Sequence, residues 1–135
     1  MSAFDDRRLH NAGGHFITWA DIQRRQPHET VDLFMAMLGV RVIKPPYGPP
    51  LIVSSRGAGL AGASCPLRVG LDGMVFGNTT DFDVNDIAPS EIYGIEIYSG
   101  GATMPAQYLA STSGGLCGLI MIWTGDGARQ TSKQP

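Results

Sequence analysis

The sequence has little charge, few cysteines and no long apolar segment, and each shortage excludes a class of protein. Only 16% of the 135 residues are charged, and 10 Lys and Arg stand against 12 Asp and Glu. This balance excludes the strongly basic surface on which nucleic-acid binding depends. The apolar segments at residues 31–38 and 116–123 are each less than half of the roughly 18–20 residues that a membrane-spanning helix needs. The sparse charge also indicates that a partner covers part of the surface.

The length and the two ends of the chain indicate one domain with short flanking segments. A chain of 135 residues is long enough to bury its own core. Residues 1–8 lack the apolar core and small-residue cleavage site of a signal peptide. Residues 125–135 are polar and aperiodic, as in a mobile tail or linker. We therefore expect an N-terminal extension over residues 1–14, a globular domain over 15–124 and a flexible C-terminal tail over 125–135.

Two helices are predicted in the first half of the chain. A helical turn over residues 20–25 begins after Thr18, whose hydroxyl can cap it, and ends before Pro27. Residues 28–38 predict a second helix, because four apolar side chains follow the i, i+3, i+4, i+7 spacing of one buried face. Those side chains are Val31, Phe34, Met35 and Leu38. Gly39 suits the left-handed end of this helix.

The rest of the domain predicts strands. A hairpin is expected at Asp72-Gly73, and residues 91–99 alternate between apolar and polar side chains except for a slip at Gly94. The continuous apolar run at 119–123 is typical of a central strand. The predicted strands are residues 40–43, 51–54, 66–71, 74–76, 91–99 and 119–123, with a short helical turn at 83–87. The expected fold class is α/β (α+β): a small mixed sheet of about four to five strands with two or three short helices.

Three patterns resemble site motifs, and each has a simpler structural explanation. Residues 57–62 match the dinucleotide pattern G-x-G-x-x-G, but a strand follows too soon for the helix that would hold a pyrophosphate. Residues 81–86 begin like an EF-hand loop, yet Asp86 replaces the required glycine and Ile92 the closing carboxylate. The histidines are scattered and form no metal pattern; they are His10, His15 and His28. We expect no enzymatic activity, no metal and no cofactor.

The two cysteines, Cys65 and Cys117, each lie at the edge of a predicted strand. In a reducing compartment they would be small buried hydrophobic residues, and in an oxidising one the pair favours a disulfide. Such a bond would close a loop of about fifty residues and stabilise the fold by roughly 3–4 kcal/mol on the chain-entropy model. We favour the disulfide, on the condition that the protein resides in the periplasm.

Five blocks of the chain together carry a family resemblance: residues 16–22, 30–40, 69–74, 89–100 and 115–124. In this order they resemble the plug domain of TonB-dependent outer-membrane receptors. They are similar to its entry segment, its helix followed by P-G-V, its V-x-L-D-G-V hairpin, its P-x-x-I-E-R-I-E-V-L-R-G strand and its closing G-G-V-I-N-I-I-T strand. The fourth block is the most specific, although Ser99 stands where plugs usually carry arginine. Arg56-Gly57 keeps the arginine-glycine strand end of the family.

The resemblance implies a non-catalytic, plug-like module that occludes the pore of a transporter and contacts its ligand. By position, the loops at 47–50 and 57–63 are the expected contact loops, unless they are ordinary solvated connections. The candidate ligand- or partner-contacting residues are Tyr47, Arg56, Gly57, Gly59, Gly62, Ser99 and Gly100. The implied partner is a protein, either a barrel or another membrane complex, and nucleic acid is not expected. The implied location is the periplasm or outer membrane, if the chain is exported as part of a precursor.

Two features favour an alternative function. No TonB box is evident, and the chain ends eleven residues after Thr124, whereas a barrel of 22 strands needs hundreds of residues. We therefore expect that the chain is not a receptor by itself. The alternative is a stand-alone plug-like accessory or binding subunit of another membrane-associated complex. A third alternative, a small enzyme, requires a cleft in which acids or histidines cluster.

Overall fold

The elements below come from a computed structural model of the protein, which describes residues 2–10, 14–35, 37, 39–54, 65–78, 82–99, 105, 108 and 118–125. The helices are α1 (Ser2–His10), α2 (Trp19–Arg25) and three 3₁₀ helices (Thr30–Phe34, Val84–Asp86 and Pro89–Glu91). The strands are β1 (His15–Thr18), β2 (Val40–Ile43), β3 (Leu51–Ser54), β4 (Cys65–Pro66), β5 (Arg68–Leu71), β6 (Met74–Asn78), β7 (Ile92–Tyr98) and β8 (Leu119–Thr124).

The strands form two sheets. The larger has the order β1-β7-β8-β5-β6, in which β5 and β8 run parallel and the other pairs antiparallel. The smaller is an antiparallel sheet of β2, β3 and β4. Strand β8 lies in the centre of the larger sheet, as its continuous apolar run predicted. The expected mixed fold with a small sheet and short helices is confirmed.

Local signals placed several elements correctly. Thr18 caps α2 in a reciprocal arrangement: the Asp21 N–H donates to the Thr18 hydroxyl (3.2 Å), and the Thr18 N–H donates to the Asp21 carboxylate (3.0 Å). The hairpin between β5 and β6 turns at Asp72 and Gly73, whose φ values of 51° and 98° suit a tight hairpin turn. The predicted slip at Gly94 is a register shift between β7 and β8.

The strand predicted over residues 66–71 is wrong in one respect, because the chain changes sheets within it. Cys65 and Pro66 pair with β3 of the smaller sheet, whereas Arg68 begins β5 of the larger one. Leu67 lies between them, fully buried, and its N–H donates to the Ile52 carbonyl (2.9 Å). Apolar alternation continues through the crossing, so it gave no sign of the change.

The helix predicted over residues 28–38 is also wrong, since the chain forms only a 3₁₀ helix at Thr30–Phe34. Tertiary partners hold its first turn: the Thr30 hydroxyl donates to the Ile87 carbonyl, and the Val31 N–H donates to the Asn85 side chain. A tighter helix turns a different set of side chains inward. Met35, predicted on the buried face, is therefore 56% exposed, and the predicted Leu38 lies outside the described residues.

Both faces of the larger sheet are buried. One face carries the aliphatic side chains of the main core, which alternate along the two central strands: Ile95, Ile97, Ile120 and Ile122. The other face carries an aromatic cluster, which we call the aromatic face: Tyr98, Leu119, Met121 and Trp123, covered by Phe4 of α1 and by Tyr108. The alternation in β7 is thus real, but Glu96 and Tyr98 on its polar side are buried.

Helix α1 covers the aromatic face, and the sequence analysis did not predict it. Phe4 is 1% exposed and packs over Gly94. A Cβ atom at Gly94 would lie 2.4 Å from Cζ of Phe4, so only glycine leaves room for this ring. The N-terminal segment therefore contributes part of the core. In the part of the chain that the structure describes, no helix combines the length and apolar character needed to cross a membrane.

Candidate functional site

The structure describes two of the predicted contact residues. Tyr47 lies in the turn between β2 and β3 and is 91% exposed. The Ser99 carbonyl, directly after β7, accepts a hydrogen bond from the Ser54 hydroxyl (3.0 Å). The other predicted residues lie outside the described residues: Arg56, Gly57, Gly59, Gly62 and Gly100. Cys117 and the side chain of Cys65 lie outside them as well, so their disulfide stays a prediction.

A polar cavity lies beside the turn that carries Tyr47. We call it the β2–β3 cavity; its volume is about 270 Å³. It is lined by residues of this turn and of the N-terminal ends of two 3₁₀ helices: Glu29, Lys44, Pro45, Gly48, Pro50, Asp83 and Asn85. Gly48 has a φ of 92° and no atom within 4 Å of its Cβ position. The turn is therefore open to solvent on that side. Ser99 does not line this cavity.

Charged side chains in the β2–β3 cavity already take part in an ion pair and in hydrogen bonds within the domain. Lys44 lies 3.8 Å from Glu29 across the opening, and both side chains are about half exposed. Asp83 accepts from the Asn85 N–H (2.9 Å), while the Asn85 side chain accepts from the Val31 N–H. The carboxylate and the amide are thus held in place by the 3₁₀ helices. A cavity with one half-exposed cation, two carboxylates and an exposed aromatic ring on the adjoining turn suits a polar ligand with hydrogen-bonding groups.

A buried carboxylate is the second notable site, and the sequence analysis missed it. Glu96 is 0% exposed on β7. Arg7 of α1 binds it with two parallel bonds, Nε to Oε1 (2.7 Å) and a terminal nitrogen to Oε2 (2.8 Å). Three further donors complete its shell: the hydroxyls of Tyr98 (2.6 Å) and Tyr108 (3.3 Å), and the Trp123 indole N–H (2.6 Å).

The surroundings of Glu96 fix the protonation states of its partners. Burial, together with the carboxylate, raises the pKa of Tyr98 and of Tyr108 well above the ordinary tyrosine value. Burial alone would lower the pKa of Arg7, but the hydrogen bonds and charge of Glu96 outweigh it and raise the value. All of these groups therefore remain donors at neutral pH. The arrangement is a structural anchor with no exposed reactive atom.

One sequence signal could have indicated this anchor. Glu96 is the only acidic residue among the isoleucines of β7, and a buried carboxylate requires a partner. Its partner is 89 residues away along the chain, too far for any local pattern to identify. Within the described ranges, no group of three or more His, Cys, Asp or Glu side chains could hold a metal ion.

The fold can be compared with solved structures. No protein-family model matches the sequence, and no curated protein matches it significantly. The siderophore receptor PirA from Acinetobacter baumannii is similar to this chain with a TM-score of 0.61 and 22% identity, over 90% of this chain and 18% of the receptor. A double variant of the ferric enterobactin receptor PfeA from Pseudomonas aeruginosa is similar with a TM-score of 0.60 and 21% identity, over the same shares.

The siderophore receptor PirA from Pseudomonas aeruginosa gives the same result, with a TM-score of 0.53 and 24% identity over 84% of this chain and 18% of that one. The chain thus spans less than a fifth of the receptors that it matches. A region of this size fits the plug domain, and the resemblance to that domain is confirmed at the level of the fold. At these identities the likeness concerns the fold alone.

Proposed function

We propose that the chain is a non-catalytic, plug-like module that occludes the pore of an outer-membrane siderophore transporter and contacts its ligand. One observation carries this proposal: the fold follows the siderophore receptors over 90% of the chain. The composition supports it as well, because a chain with only 16% charged residues suits a domain enclosed by protein. The proposed location is the periplasm or outer membrane, and the proposed partner is a barrel.

The β2–β3 cavity is the proposed ligand-contacting region among the described residues. Tyr47 offers an exposed ring, and Lys44 offers a half-exposed cation whose nitrogen lies 3.8 Å from the Glu29 carboxylate. An aromatic ring beside a cation suits a ligand with aromatic or anionic groups. The predicted contacts at Arg56, Gly57, Gly59, Gly62, Ser99 and Gly100 remain proposals.

Titration with ferric enterobactin tests this region, with quenching of intrinsic fluorescence as the readout. We expect saturable binding, weakened by about fivefold or more in Tyr47→Ala and in Lys44→Ala, as removal of a contact worth about 1 kcal/mol does. Met74→Ala is the matched control, since Met74 is 71% exposed and begins β6 of the other sheet. Equal affinities for all variants would contradict the placement of the ligand at this cavity.

A stand-alone accessory subunit of another membrane complex remains the second candidate function. It is supported by the N-terminal helix, whose Phe4 and Arg7 side chains bind the body of the same domain. Crosslinking in native membranes, followed by identification of the crosslinked chain, separates the two functions. A crosslink to an outer-membrane barrel favours the transporter module, and a crosslink to a non-barrel subunit favours the accessory role.

We also propose the disulfide between Cys65 and Cys117, which the periplasmic location would permit. Thiol titration of the denatured, unreduced protein is expected to find no free thiol. Reduction should then lower the free energy of unfolding by roughly 3–4 kcal/mol. Two free thiols in protein isolated from the periplasm would contradict the bond.

A further inference from the structure

The buried anchor has the form of a binding pocket with its ligand in place. We call Glu96, Tyr98, Tyr108 and Trp123 together the carboxylate pocket. Its occupant is the guanidinium group of Arg7, which belongs to α1 and reaches the pocket from 89 residues away along the chain. The pocket residues therefore belong to the body of the domain, and the occupant to a separate terminal segment.

Two donors from the body of the domain orient the carboxylate of the pocket. The Tyr98 hydroxyl and the Trp123 indole N–H each donate to Glu96 at 2.6 Å, one to each carboxylate oxygen. These two bonds fix the plane of the carboxylate, and β7 and β8 fix the donors by direct pairing. The Arg7 Nε is the second donor to Oε1, at 2.7 Å. Oε2 also accepts from the Tyr108 hydroxyl at 3.3 Å, and a terminal nitrogen of Arg7 donates to it at 2.8 Å.

The shape and electrostatics select a guanidinium over an ammonium group. The two parallel bonds from Arg7 need a planar fork, which lysine lacks. The Arg7 Cζ atom also lies 5.1 Å from the ring centroid of Tyr108 and 5.9 Å from that of Trp123. Aromatic faces at these distances favour a flat, weakly hydrated cation.

Side chains of helix α1 contact the body of the domain. Phe4 packs over Gly94, Asp5 accepts from the Tyr93 hydroxyl (3.0 Å), and Arg7 fills the carboxylate pocket. A nine-residue helix has little stability of its own. Its position therefore depends on such contacts, and the ion pair of Arg7 with Glu96 is one of them.

We propose that the carboxylate pocket is a guanidinium-binding site, which α1 occupies in cis through Arg7. The ligand class is an alkylguanidinium cation, as an arginine side chain carries it. When Arg7 is absent, the pocket accepts a free alkylguanidinium, and α1 behaves as an intramolecular ligand. This proposal is independent of the proposed transport role.

Chemical rescue of the Arg7→Ala variant in the full chain tests the proposal. We expect this variant to be destabilised, and N-ethylguanidinium at millimolar concentrations to raise its thermal midpoint saturably. The indole N–H resonance of Trp123 should return toward its wild-type position, while that of Trp19, which is 42% exposed, should not move. Ethylammonium at the same concentrations should rescue neither property, and the wild type should gain nothing from either cation.

A second variant separates the pocket from a general salt effect. Arg7→Ala combined with Glu96→Gln keeps the shape of the pocket but removes its charge, so rescue by N-ethylguanidinium should disappear. If Arg7→Ala alone is unfolded, the same titration is read as recovery of the circular dichroism of the folded protein. Equal effects of the two cations, or a Trp123 resonance that N-ethylguanidinium does not move, would overturn the proposal.

Discussion

The two faces of the larger sheet are equally buried but are built from different chemistry. The aliphatic face is a layer of isoleucines from β7 and β8 that packs on α2 and the 3₁₀ helix at Thr30–Phe34. The aromatic face surrounds a carboxylate whose hydrogen bonds come from arginine, tyrosine and tryptophan. The first face depends on shape and area, and the second depends on a complete set of partners for one charge.

Because the two faces differ in chemistry, substitutions should destabilise them in different ways. Removal of methyl groups from an aliphatic layer costs the lost transfer energy and the energy of the cavity left behind. Removal of one partner from a buried ion pair leaves the other charge without compensation, which costs more than the pair contributed. Substitutions on each face therefore test this contrast.

Glu96→Gln should have the largest effect, because it leaves Arg7 mostly buried with no counter-charge. The expected loss in the free energy of unfolding is about 3–5 kcal/mol, measured by urea denaturation at an unchanged m value. Glu91→Gln is the matched control: Glu91 is exposed and directly precedes the same strand, so its loss should stay within about 0.5 kcal/mol. A loss below about 1 kcal/mol for Glu96→Gln would contradict this prediction, because the Arg7–Glu96 pair would then contribute no more than a surface ion pair does.

Ile122→Ala tests the aliphatic face at the centre of the same sheet. Ile122 is fully buried, so the expected loss is about 2–5 kcal/mol, and Ile122→Val should cost about 0.5–1.5 kcal/mol. This graded response to volume is the signature of a shape-dependent face. If Ile122→Val cost as much as Ile122→Ala in the same urea experiment, the contrast between the two faces would be wrong.

Gly94→Ala probes the contact by which α1 reaches the aromatic face. The new methyl group would meet the Phe4 ring at 2.4 Å, and overpacking of this kind costs about 1–3 kcal/mol. In Phe4→Ala the obstruction is absent, so Gly94→Ala should cost much less in that background. A double-mutant cycle by urea denaturation measures this coupling, and strictly additive losses would contradict the contact.

The sequence predicted those parts of the fold that depend on neighbouring residues. Thr18 and Asp21 lie three positions apart and cap α2, and Asp72-Gly73 fixes a hairpin through its own backbone preferences. The alternation over residues 91–99 predicted β7, and the continuous apolar run at 119–123 predicted β8. In each case the signal and the structure lie within a few residues of one another.

The errors and omissions arise where distant residues decide the local structure. Asn85 and Ile87 hold the chain at Thr30 and Val31 as a 3₁₀ helix, although the pattern there is that of an α-helix. The position of α1 depends on the lack of a side chain at Gly94, which leaves room for the Phe4 ring. No periodic pattern in the sequence reveals this.

The candidate site also has one part that the local sequence predicts and another that only distant residues decide. The exposure of Tyr47 is typical of a turn rich in proline and glycine and could be predicted. The other walls of the β2–β3 cavity come from Glu29, Asp83 and Asn85, which meet the turn only in the folded chain. The carboxylate pocket depends on a pair of residues separated by almost the whole domain.

Thr18→Ala should have the smallest effect, because it removes only the two hydrogen bonds of the Thr18 hydroxyl with Asp21, at the edge of the aliphatic face where α2 packs through Ile22. The expected loss at neutral pH is about 1 kcal/mol, and Thr18→Ser, which keeps the hydroxyl, should lose much less.

The pH dependence of the free energy of unfolding gives a second test of the same helix cap. The hydrogen bond from the Thr18 backbone lowers the pKa of Asp21, and Arg24 lowers it further. A carboxyl with a lowered folded-state pKa contributes stability above the unfolded value of about 3.9, and this contribution is lost as pH falls through the folded value. Asp21→Asn should therefore remove part of the acid sensitivity that the wild type shows below about pH 4. The Thr18→Ala variant keeps the backbone N–H and should keep most of it. Urea denaturation at neutral and acid pH checks both expectations, and an Asp21→Asn variant as acid-sensitive as the wild type would show that the Asp21 charge does not stabilise this end of the aliphatic face.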